Sequence, residues 1–161
     1  MAGSTSIPLP FRSGMLGVLS GARSMTPLAM LALHRDRGSL RGAWQDWPVL
    51  RSPAGRTVLV LAALGELVGD KLPRTPPRTK PFPLLARVAT GAISGAAIGT
   101  LGDPDGWRRG AALGAVGGVV GSFAGMFLRT GGAATGLPDL VFALVEDAAT
   151  IASAAAVVAA A

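Results

Sequence analysis

Cysteine and tyrosine are both absent from the 161 residues, and histidine occurs once. The missing thiols exclude disulfides, thiolate metal sites and thiol catalysis. The one imidazole, His34, follows an apolar run and opens a basic stretch, where a solvated surface group is the simpler reading. No nucleophile–base pair, phosphate loop or metal-spaced cluster accompanies it, so no enzyme, cofactor or metal site is expected. Charge is also sparse. Only 15% of residues are charged, against about a quarter in soluble domains.

Small apolar residues fill that space. Half the chain is hydrophobic, with 23 Gly and 5 Phe, and the mean hydropathy is +0.48. Gly and Ala in long apolar runs suit helices that pack backbone to backbone in lipid. The net charge is +6, and 13 of the 15 cations are Arg. They flank apolar segments instead of forming a basic patch, so the expected partner is the lipid bilayer, not nucleic acid. Arg12 precedes the first apolar run as it would in a signal peptide. However, Arg23, Thr26 and Pro27 interrupt that run and four more hydrophobic segments follow, which favours a retained helix.

The pattern predicts an all-α, polytopic membrane helical bundle of about five hydrophobic helices in one domain, residues 1–161. The helices are expected at about 14–33, 53–72, 84–101, 107–128 and 138–160. The first is kinked or broken at Thr26-Pro27, because Pro27 has no N–H for the carbonyl of Arg23. Trp44 and Trp47, beside arginines in the following loop, read as interfacial anchors. Ser52 and Pro53 cap and open the second helix. Pro73–Pro83 reads as an extended basic loop, and Gly102–Gly106 as a tight turn. Five crossings divide the flanking cations evenly. If the second helix re-entered without crossing, both long basic loops would share one side, but its length and caps favour five.

Gly91, Gly95 and Gly99 recur every fourth residue, as do Gly110, Gly114 and Gly118, and then Gly121 and Gly125. Such faces let helices approach closely in a glycine-zipper arrangement.

Mid-helix charges are the second signal, since each costs about 3 kcal/mol to insert. Arg23 lies halfway along the first helix. Glu66 is in the second, with Asp70 a turn later. Glu146 and Asp147 lie near the centre of the fifth. Asp139, Glu146, Thr150 and Ser153 form a polar stripe that should face the interior or a wet cavity. Together Arg23, Thr26, Glu66, Asp70, Glu146, Asp147 and Thr150 make a candidate polar midplane site. One arginine against up to three carboxylates would leave excess negative charge and favour protonating one of them. Two readings follow: Arg23 makes a buried ion pair that fixes the bundle's register, or the cluster serves a polar or ionic solute or a proton relay.

Three segments resemble a known family, the uncharacterised bacterial membrane proteins grouped as domain of unknown function 4126. They are Gly21-Ala22-Arg23-Ser24-Met25-Thr26-Pro27, Gly65-Glu66-Leu67-Val68-Gly69-Asp70-Lys71-Leu72-Pro73 and Leu144-Val145-Glu146-Asp147. Thr26-Pro27 stands where members often show two prolines. The resemblance implies a small multi-pass protein of a cell membrane, the bacterial inner membrane by preference, and supplies no activity. The expected function is that of a transporter or channel-like protein with a charged midplane site. The alternative is an accessory or assembly subunit that packs through glycine-rich faces in a homo-oligomer or larger membrane complex.

Overall fold

The computed structural model describes residues 7–69, 80–133 and 139–160. Among them every regular element is helical. Three helices are long and apolar enough to cross a membrane: Pro81–Gly99, Pro104–Leu128 and Val141–Ala159.

The first apolar run is two helices, not one. α1 spans Leu9–Ala22 and α2 spans Thr26–Leu33. The break falls at Arg23-Ser24-Met25, ahead of the expected Thr26-Pro27. Arg23 is extended, with φ −139° and ψ 105°. Pro27 therefore sits in the opening turn of α2, where its missing N–H has no intrahelical partner to lose. Across the break the chain turns back. Leu9 lies against Gly102, and Gly42, after α2, lies against Thr100, so both outer ends of the pair meet the C-terminal end of α5 (Pro81–Gly99). The tip lies beside Arg87, near the other end of α5. α1 and α2 thus form a helical hairpin.

Short 3-10 turns and a single helical turn, α3 (Pro48–Arg51), follow. Trp44 is fully buried here. Its Nε1 donates to the Leu40 carbonyl (2.9 Å), and its backbone N–H approaches Thr100 Oγ1 (3.4 Å). It is a core residue, which corrects its reading as an interfacial anchor: an internal carbonyl supplies the partner that water would give the indole. α4 (Pro53–Gly69) opens with the Gly55 N–H donating to Ser52 Oγ (3.3 Å). α5 begins inside the stretch expected to be extended, because Pro81 and Pro83 both fit a first helical turn. After the Gly102–Gly106 turn, in which Asp103 Oδ1 accepts the Asp105 N–H (3.0 Å), come α6 (Trp107–Ala133) and α7 (Asp139–Ala159).

α1, α5 and α6 pack backbone against backbone. A Cβ on Gly91 would stand 2.6 Å from the Gly114 carbonyl oxygen, one on Gly99 2.5 Å from that of Gly106, and one on Gly118 2.9 Å from that of Arg87. Cβ atoms at Gly17, Gly95, Gly110, Gly114 and Gly121 would likewise overlap facing backbone. α2, α7 and the loop after α2 complete an apolar core around Leu16, Leu31, Leu40, Trp44, Ile98 and Val158. Outward faces carry exposed Val, Leu and Phe, among them Val58, Leu64, Phe82, Val120 and Phe127.

Candidate functional site

A broken helix leaves carbonyls without donors at one end and N–H groups without acceptors at the other. Here charged side chains fill both. Arg87 Nη1 donates to the carbonyls of Gly21 and Ala22, each at 2.8 Å. Glu66 Oε1 accepts the Ser24 N–H (2.7 Å) and its hydroxyl (2.9 Å), while Oε2 accepts the Met25 N–H (2.8 Å). A cation therefore caps the negative end of α1 and an anion the positive end of α2, the favourable sense for both dipoles. Arg87 Nη2 also lies 3.6 Å from Glu66 Oε1.

Arg23, fully buried in the break, completes the cluster. Its Nε donates to Asp147 Oδ1 (2.7 Å), and its Nη2 is ion-paired to the same oxygen. Two cations and two anions from the break and from α4, α5 and α7 thus balance. The expected excess of negative charge does not arise at this cluster, because Arg87 supplies a second cation. The interactions described also divide the expected partners: Asp147 takes Arg23, while Glu66 takes the hairpin backbone and Arg87.

Glu146, one residue from Asp147, turns to a different face of α7. With Thr150 and Ser153 it lines a groove of about 320 Å³ between α1, α6 and α7. Thr150 is buried there and Glu146 half-buried. Thr26 is buried at the first position of α2. Asp70 lies outside the described residues, as does the side chain of Asp139. Of the expected packing glycines, Gly91, Gly95, Gly99, Gly110 and Gly114 meet one another across α5 and α6. Gly118 faces Arg87, Gly121 faces Val18, and Gly125 is buried at the groove.

Sequence reasoning passed over two buried arginines. Arg87 was counted among flanking cations, yet it precedes Gly91, Gly95 and Gly99 at the same four-residue spacing and so shares the packed face. That spacing was a usable signal. Arg12 is 2% exposed, and its Nε and Nη2 donate to the carbonyls of Val157 (3.0 Å) and Val158 (3.1 Å), capping the end of α7. No local pattern links residues that far apart.

No protein-family model, curated protein or solved structure matches this chain. The site is therefore read from its own geometry.

Proposed function

We propose that the chain is a small multi-span membrane protein of the transporter or channel-like class, with the α1–α2 hairpin as a re-entrant element and its tip as the solute-facing site. One observation carries the reading: the non-helical Arg23-Ser24-Met25 backbone meets Arg87 and Asp147, which belong to two helices able to span a bilayer. Irregular backbone at such depth is tolerated only where protein or a wet cavity takes up its polar groups. Discontinuous helices with paired charges are how secondary transporters hold solutes. α1, at 14 residues, and α4, at 17, are short of the roughly 20 needed for a straight crossing, which suits supporting elements. The three ordered motifs support kinship with domain of unknown function 4126, and with it a place in a bacterial inner membrane.

The test is flux of small ions and polar solutes in reconstituted vesicles. Glu66→Gln and Ser24→Ala should each reduce flux by tenfold or more while native helicity is kept. Unchanged flux in both would remove the tip from the mechanism.

The accessory-subunit reading also has a specific observation behind it, because the contacts described for Glu66 and Arg87 join them to the hairpin and to each other. On that reading the charges are struts. Wild-type vesicles would then show no flux, and Gly118→Leu would disrupt assembly.

A further inference from the structure

We infer that the groove between α1, α6 and α7 is a binding site for an amphiphilic cation, an alkylammonium whose charged head meets Glu146 and whose tail lies along the apolar wall. This goes beyond the transport reading and concerns a different face of α7, since Asp147 turns to the hairpin and Glu146 to the groove.

The groove's chemistry is asymmetric. Val18, Leu128 and Phe142 contribute to a predominantly apolar lining, while Glu146, Thr150 and Ser153 place polar groups on its α7 wall at spacings of four and three residues. That spacing sets them on one helical face. A carboxylate in such a wall is costly to hold in lipid, and a cation brought to it recovers part of that cost. An anion would meet repulsion instead. The volume of about 320 Å³ accommodates a tail of about ten methylenes, taking each as close to a water's share of roughly 30 Å³. The ligand class is thus a single-chain ammonium of medium length, whether an alkylamine from solution or an amine-bearing lipid. The two hydroxyls lie beyond the carboxylate, where they can bond ammonium N–H groups or water carried with the head.

The experiment measures binding, not flux, so its result is independent of whether the hairpin transports anything. Purified full-length protein in nanodiscs is titrated with decylammonium, decanoate and decanol, and bound ligand is read by native mass spectrometry. Lipid-extracted and lipid-supplemented samples distinguish a free amine from a lipid amine, which would compete with it. We expect saturable decylammonium binding, with one ligand per chain and at least roughly fivefold preference over decanol, the scale of one part-exposed charge pair. Glu146→Gln should remove that preference while leaving weaker tail binding. Ser153→Leu, which fills the groove, should weaken decylammonium and decanol alike. Equal affinity for all three ligands would overturn the inference, as would a preference for decanoate or a preference that survives Glu146→Gln. If Glu146→Gln fails to fold, Ser153→Leu and the three-ligand comparison on the wild type still decide it, because binding unaffected by Ser153→Leu places the ligand elsewhere.

Discussion

Removing the carboxylate of Asp147 should be among the most damaging single changes available to this chain. Arg23 is fully excluded from solvent, and Asp147 receives its Nε at 2.7 Å. In Asp147→Asn the amide oxygen can still accept that hydrogen bond, but the guanidinium keeps its charge and loses its counterion. Breaking a buried pair from one side costs about 3–5 kcal/mol, and the retained hydrogen bond places this variant near 3. That is a large share of the 5–15 kcal/mol that typically separates folded from unfolded chains. Replacing both partners, as Arg23→Met with Asp147→Leu, removes the charges together and should recover most of the loss. The assay is equilibrium unfolding by denaturing detergent in mixed micelles, followed by circular dichroism and arranged as a double-mutant cycle. The reasoning predicts a coupling of about 2 kcal/mol or more. Single-variant losses below about 1 kcal/mol that simply add would refute it, because they would describe a solvated pair.

Further outcomes follow from the packing and the surface. Gly17→Ala would drive a Cβ into the Gly114 backbone, whereas one at Gly65 meets nothing within 4 Å. The first should lower stability by more than about 2 kcal/mol, and the second raise it by up to about 1, both read by the same unfolding assay. The hydroxyl of Ser94 is fully buried with no hydrogen-bond partner among the described residues, so Ser94→Ala should stabilise by about 1 kcal/mol. Outside the bundle core, the hydrogen bond from Arg35 holds the Asp36 carboxyl below its usual range, with Arg56 adding to the effect and partial desolvation opposing it. A depressed folded-state value gives stability that is present above the ordinary aspartate range and lost as pH falls through the folded one. Thermal scans should show this acid loss as small and screened by 0.5 M salt, and Asp36→Asn should abolish it.

Helix content was largely legible because apolar runs, proline starts and the Asp103–Gly106 turn are local features. Direction was not. Nothing in Arg23-Ser24-Met25 distinguishes a kink from a reversal, since the difference lies in what caps the two helix ends. Those caps are Glu66 and Arg87, 42 and 66 residues away from Ser24 and Gly21. Trp44 misled for a related reason: an indole among arginines resembles an interface anchor until Leu40 and Thr100 are seen to bond it. Within the charged cluster, residue types could be read from their cost in lipid, whereas pairing could not. Glu146 and Asp147 are adjacent in sequence and point to different surroundings.

The clasp around the hairpin also bears on the order of synthesis. Arg23 is made early and its carboxylate lies 124 residues later; at about 5–20 residues per second, that is an interval of roughly 6–25 s. During that time α1 carries an uncompensated guanidinium, and the broken backbone after it lacks Glu66 and then Arg87. The segment is therefore expected to wait at the translocon or the lipid headgroups and to be drawn inward once α7 emerges, so that the first helices made are among the last to settle.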